Sequence, residues 1–336
     1  MHRMRWPQIV AGLLGVAVGS GSAVAAPPPL TELQVIPLAG VERRIDHFAV
    51  DSAENRLFVG ALGYGTLEVL DVAAGKRITS IPGLNEPQGV AYLPSSHRIV
   101  VAMRGGGVEA FDDRSYQLVT TMPGMSDADN LRFDAAASQL YVGYGKGALG
   151  VIDPASMTRI GDIPLPGHPE SFRLEETGPR IFVNVPTTRE ILVVDRGQRA
   201  IVAHIPLGNL LNNYPMSLDE SGHRLFVGVR QPARLLVFDT VSNKRIAAIP
   251  CVGDTDDLFY DTRRNRVYVI GGEGFVDTFD ASPSGKYARI GRLATRAGAR
   301  TGLWSPELDR LFVASPLRGG HQAEIHVLGP GGETGQ

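Results

Sequence analysis

An all-β ring is what this sequence predicts: a seven-bladed β-propeller of four-stranded blades, closed by its own N-terminal strand. Three observations lead there. A short apolar strand recurs seven times, as Leu57-Phe58-Val59, Ile99-Val100-Val101, Leu140-Tyr141-Val142, Ile181-Phe182-Val183, Leu225-Phe226-Val227, Val267-Tyr268-Val269 and Leu311-Phe312-Val313, at spacings of 42, 41, 41, 44, 42 and 44 residues. A second phrase closes the repeats: 77–83 (RITSIPG), 118–124 (LVTTMPG), 159–167 (RIGDIPLPG), 201–208 (IVAHIPLG), 245–253 (RIAAIPCVG) and a degraded 289–298 (RIGRLATRAG). A copy of that phrase at 33–40 (LQVIPLAG) has no repeat ahead of it, while the last repeat stops at 324–328 (EIHVL) without one. The N-terminal strand therefore supplies what the final repeat lacks, and repeats of this length stack as blades.

Residues 1–26 read as a cleaved export signal rather than as part of the fold. His2, Arg3 and Arg5 form a basic start, 9–18 an apolar run too short to span a bilayer comfortably, and Ala23-Val24-Ala25-Ala26 a small-residue cleavage site. The expectation is a periplasmic or secreted protein with no membrane span after cleavage. Losing Arg3 and Arg5 takes the formal charge from −2 to −4. Mild acidity argues against nucleic acid, whose binding draws on a basic footprint. Cys251 is the only cysteine, which excludes an internal disulfide, a thiolate zinc site and CxxCH haem attachment. Trp304 is the only tryptophan past the signal, which excludes a cofactor made by cross-linking two of them.

The propeller is assigned to 27–330. Within each repeat an Asp opens a turn (Asp51, Asp134, Asp219, Asp261), and a basic residue precedes six of the seven apolar strands, Gln139 being the exception. A strand ending in Asp follows, as in Val69-Leu70-Asp71 or Val237-Phe238-Asp239, and then the Ile-Pro strand. That gives four short strands rich in Val, Ile, Leu and Phe, punctuated by Gly, Asp, Asn and Pro. Proline near the end of the fourth strand suits an outer edge, where an amide can be spared. Val35 with Ile36 or Leu38 is expected to pack into the last blade, and the Gly-rich tail 331–336 to be disordered. Nothing in the pattern calls for more than a monomer.

The D-x₄-R-L-F-V core, the h-x-V-h-D strand and the following I-P-x-G resemble the YVTN-type propeller repeat. More narrowly, 44–51 (RIDHFAVD), 86–90 (EPQGV), 179–186 (PRIFVNVP), 256–261 (DDLFYD) and 306–311 (PELDRL) resemble exported YncE-like bacterial proteins. The likeness covers essentially the whole chain past the signal. It implies the fold, and a family used for binding, assembly and occasional catalysis.

Chemistry is expected where the innermost strands begin, at one mouth of the central channel. Aligning the repeats gives Asp46, Gln88, Asp129, Glu170, Tyr214, Asp256 and Arg300, followed by His47, Gly89, Asn130, Ser171, Pro215, Asp257 and Thr301. Strand alternation lets only one of each adjacent pair point squarely into the channel. His168 and His321 fall on the same side, while His97 and His223 sit in far-face turns and His204 and His326 in strands. Such a mouth suits a small anionic or mixed-charge ligand, a periplasmic protein partner, or a calcium or magnesium ion on several carboxylates. Two functional readings stay open: a binding or assembly module, and a metal-dependent hydrolase or lyase of the lactonase-like propeller type. No GxSxG elbow past the signal, HExxH or phosphate-binding loop selects a reaction. A third possibility, single-stranded nucleic acid, has only a local rim (Arg104, Lys146, Arg189, Arg230, Arg234, Arg300, Arg318) in its favour.

Overall fold

A computed structural model describes residues 27–284 and 286–331, together with Met1, His2 and Met4. The export-signal assignment and most of the tail assigned to 331–336 lie outside these residues. Seven four-stranded antiparallel sheets make up the chain, and helix among the described residues is confined to the short turn Pro94–Ser96. Six sheets run in sequence order from inner to outer strand; blade 1, for example, is Phe48–Asp51, Arg56–Ala61, Thr66–Asp71 and Lys76–Pro82. The seventh is composite. Gly302–Ser305, Arg310–Ser315 and Glu324–Pro330 take Leu30–Pro37 as their outermost strand.

Closure is specific in register, with Ile36 opposite Ile325 and Thr31 opposite Gly329. His326 Nδ1 lies 2.5 Å from Glu32 Oε2 across the same seam. Ile36 and Leu38 are fully buried, and the Leu38 amide donates to the Ala323 carbonyl at 2.8 Å. Val35 is not part of this core: it is 37% exposed. The reason is alternation, which sends Ile36 and Leu38 to one side and Val35 to the other. At the tail, Gly329 and Pro330 belong to the last strand, and the Gly331 amide donates to Pro29 O at 3.0 Å.

The apolar strand of each repeat does two jobs. Leu57 and Val59 pack toward blade 7, whereas Phe58 packs toward blade 2. Leu225 and Val227 likewise face blade 4 while Phe226 faces blade 6. Period-two alternation therefore divides one strand between two interfaces, and the cores lie between blades rather than within a single central mass.

The fourth strands share a defect that the sequence phrase encodes. Ile78, Val119, Ile160, Val202, Ile246 and Ile290, with Leu33 in the closing strand, are each skipped by the register of their pair. All seven are exposed. A bulge at one position in every outer strand bends it and spoils it as a template for another chain. In R-I-x-x-I-P the first aliphatic is the bulge, and the second, such as Ile81 or Ile205, is buried.

In three blades the acid and the Arg of the repeat form a latch to the next blade. Arg224 forks onto Asp219 Oδ2 at 2.9 and 2.6 Å, donates to the Ala281 carbonyl of the next blade, and lies over the Phe226 ring at 5.5 Å. Arg56 does the same with Asp51, the Asp113 carbonyl and Phe58. Arg180 repeats it on Glu175, the Thr240 carbonyl and Phe182. Burying the guanidinium is tolerable because carboxylate, carbonyl and ring face together complete its shell.

Candidate functional site: the channel mouth

The loops leading into the inner strands carry a recurring left-handed residue. Glu86, Asp127, Asn212 and Asp254 have φ of 57°, 51°, 62° and 53°, each two residues before Gln88, Asp129, Tyr214 and Asp256; Gly298, at 92°, stands two before Arg300. Side chains other than Gly and Asn adopt this conformation at a cost of order 1 kcal/mol. Its repetition turns the chain sharply enough to aim the following residue at the axis.

The result is a polar cavity of about 240 Å³ lined by Gln88, Asp129, Glu170, Tyr214, Asp256 and Arg300 from the aligned first positions, and by Arg44, Arg104, Asp127, His168 and Arg230. His47, Gly89, Asn130 and Asp257, from the second positions, line a separate cavity deeper along the channel. The two adjacent positions thus serve two levels of one axis. Asp46 sits between them, 1% exposed, with Oδ2 held by Arg44 Nη2 at 3.0 Å and Oδ1 3.7 Å from His47 Nε2. Ser171 is buried beneath the rim; His168 bonds instead through Nδ1 to the Gly145 carbonyl at 2.6 Å. Lys146, Arg189, Arg234, Arg318 and His321 are not part of the cavity wall. Arg44 and Asp127 are wall residues that aligning the repeats does not single out.

Charge alternates around the mouth. Asp256 takes Arg230 Nη2 at 2.5 Å and Arg300 Nε at 2.9 Å, with Arg44 Nη2 3.6 Å away. Asp254 bridges Arg300 at 3.2 Å and Arg230 at 3.4 Å. The Arg230 guanidinium also lies 4.1 Å over the Tyr214 ring, which fixes its plane. Arg104 and His168 share Asp127 on the other side. Asp129 and Glu170 stand apart: neither has an arginine within ion-pair distance among the described residues.

Those differences set the protonation states. Burial raises Glu170 well above the usual carboxylate range, and Asp129, Asp256 and Asp46 push it further. Burial also raises Asp129, to about 6, against the pull of His47. At His47 burial disfavours the charged ring, but Asp257, Asp46 and Asp129 together outweigh it and raise the group to about 10. Asn130 Nδ2 stands 3.4 Å from His47 Nε2, which by itself favours an unprotonated nitrogen. Three carboxylates within 3.7 Å decide against one long amide contact. Its three acidic neighbours therefore favour His47 as an imidazolium.

Cation binding by the carboxylates meets competition. Arginines already occupy Asp46 and Asp256, and among the described residues no group of three or more His, Cys, Asp or Glu side chains is disposed around a metal position. Among these residues, too, no helix is long and apolar enough to cross a membrane.

No family model matches the sequence, and no curated protein does. Solved structures do resemble it. Kuenenia stuttgartiensis hydrazine synthase superimposes with a TM-score of 0.73 at 14% identity, covering 90% of this chain and 96% of that one. A chain of a mitotic checkpoint complex gives 0.75 at 12% identity, covering 96% and 98%. At such identities the likeness concerns architecture alone, and in architecture this chain is a seven-bladed β-propeller.

Proposed function

We propose that this protein is an exported, YVTN-type propeller of the YncE-like kind, acting as a binding or assembly module whose channel mouth recognises a small mixed-charge ligand or a partner protein. One observation carries the reading: the mouth is a cavity of about 240 Å³ whose wall holds Arg44, Arg230 and Arg300 on carboxylates beside two acids, Asp129 and Glu170, that have no arginine partner among the described residues. Arg230, Arg300 and Arg44 are fixed in direction by their acidic partners, so they present donors without having to be ordered on binding. Glu170, whose carboxyl is raised by burial and by its acidic neighbours, stands beside them without a cation of its own among the described residues. A ligand carrying both charges, such as an amino acid or a charged loop of another protein, matches that mosaic better than a pure cation or anion. The repeat phrases and the basic-apolar-small start of the chain support the family and export parts of the reading.

The test is a thermal-shift screen of amino acids, dicarboxylates, polyamines and sugar phosphates against the full chain, followed by Arg300→Gln and Glu170→Gln. Stabilisation by one class, lost in both variants, supports the mouth as its site. A hit that both variants retain moves recognition elsewhere.

Asp129 and Glu170 also favour a second reading, a metal-dependent hydrolase or lyase, because acids lifted by burial in a cleft are typical of reaction sites. Elemental analysis of the purified protein, with melts in the presence and absence of a chelator, separates the two. A stoichiometric divalent metal whose removal lowers the melting temperature supports catalysis. No metal and an unmoved melt supports the binding module.

A further inference from the structure

Below the mouth, the inner cavity of about 210 Å³ has two guanidiniums in its wall, Arg132 and Arg173. They differ from the arginines above in having no carboxylate within ion-pair distance among the described residues. Arg132 donates to Leu131 O at 2.6 Å and Asn130 Oδ1 at 2.8 Å and lies 5.7 Å over the Phe172 ring, while its Nε is buried without a hydrogen-bond partner. Arg173 makes no hydrogen bond, ion pair or ring contact among the described residues. Asp257, the acid in the same wall, is committed elsewhere: its Oδ2 receives His47 Nδ1 at 3.3 Å and the Gly302 amide at 2.9 Å. Burial works against both charges and Arg173 against a charged Arg132, and the more distant Asp257 offsets this only in part. The buried Arg56 and Arg224 are each forked onto a carboxylate, whereas neither member of this pair is.

We propose that the inner chamber is a binding site for a small oxyanion, held between Arg132 and Arg173. Two guanidinium forks are the usual complement of phosphate, sulfate and carboxylate oxygens. The imidazolium of His47 stands in the same wall and adds positive charge, with both its nitrogens turned to acidic neighbours. Arg173 also borders the cavity of about 790 Å³ that opens on the opposite face, beside Ser217 and His223. The proposal concerns the inner chamber alone and holds whatever the mouth binds. It is either a free ion or the anionic end of a larger molecule.

Isothermal titration of the full chain with inorganic phosphate, at constant chloride, tests this. Saturable binding is expected, weakened at least tenfold in Arg173→Gln and in Arg132→Gln and retained in Arg230→Gln. Without polyvalent anions Arg173→Gln should melt no lower than the parent, because it removes an unanswered charge; phosphate should then raise only the parent. A parallel titration with glycerol phosphate distinguishes a free ion from an anionic end group, binding of both indicating the latter. Phosphate that fails to saturate the parent overturns the proposal, as does binding lost in Arg230→Gln but kept in Arg173→Gln. So does an Arg173→Gln variant destabilised equally with and without phosphate. Should that variant not fold, broadening of the phosphorus resonance by the parent chain, present or absent, decides the matter.

Discussion

His47 Nδ1 stands 3.3 Å from Asp257 Oδ2, joining residues 210 apart in sequence with blade 7 between them. The contact ties three blades at the axis, because the same carboxylate accepts from the Gly302 amide of blade 7. It also predicts how stability depends on pH. His47 is raised from 6.5 to about 10, so folding binds its proton more tightly than the unfolded chain does. The stabilisation is complete below about pH 6.5 and is lost as pH climbs through about 10. Melts of the parent and His47→Gln across that window should converge at the alkaline end. A constant difference would mean that the ring does not gain its proton on folding.

Glu170 carries the opposite sign. Its carboxyl is raised, so ionising it costs the native state, and the cost grows as pH rises above the ordinary carboxylate range. Glu170→Gln should therefore match the parent at pH 4 and melt higher at pH 8. A variant that melts lower at pH 8 would show that the carboxylate is paired in solution.

The fold was legible because every repeat repeats the same compromises. The Ile-Pro phrase holds both the bulge and the buried anchor, and its orphan copy at the N-terminus marks the seam. The ring of mouth residues was legible for the same reason, since aligned positions must sit at equivalent places around an axis. What alignment could not supply was pairing between blades. Asp46, Asp129, Glu170 and Asp256 read as a carboxylate ring until Arg44 and Arg230 are seen to lie among them. Arg132 and Arg173 were within reach, each being two residues beyond an aligned position and so on the same strand face. They lie one register pair beyond the entrances where the aligned ring begins.

Ring closure should fail in a graded way. Ile36 and Leu38 are fully buried in the core shared by blades 7 and 1. Truncating buried Ile or Leu to Ala costs about 2–5 kcal/mol each. Ile36→Ala with Leu38→Ala should therefore lower the denaturation midpoint sharply, while Val35→Ala, at a half-exposed position, should leave it nearly unchanged. Deleting residues 31–38 should go further and leave a blade with an open edge that aggregates. An unaltered melting temperature in the deletion would contradict closure by this strand.

The latch also has a counterpart in the repeat that lacks the basic residue. Gln139 stands where the others have a basic residue, and Asp134 has no arginine of its own to fork. Arg196 supplies it from the next blade, with Nη1 3.0 Å from Asp134 Oδ2 and Nη2 2.7 Å from the Gly178 carbonyl. The charge is conserved in space although it moves in sequence. Removing the cation leaves a buried carboxylate unanswered, at a cost of about 3–5 kcal/mol. Arg224→Met and Arg196→Met should each destabilise by that order in urea melts, and Arg224→Met with Asp219→Leu should recover part of the loss. If Arg196→Met proves neutral, blade 3 does without the latch, and the shared motif is a habit of the repeat rather than a requirement of the ring.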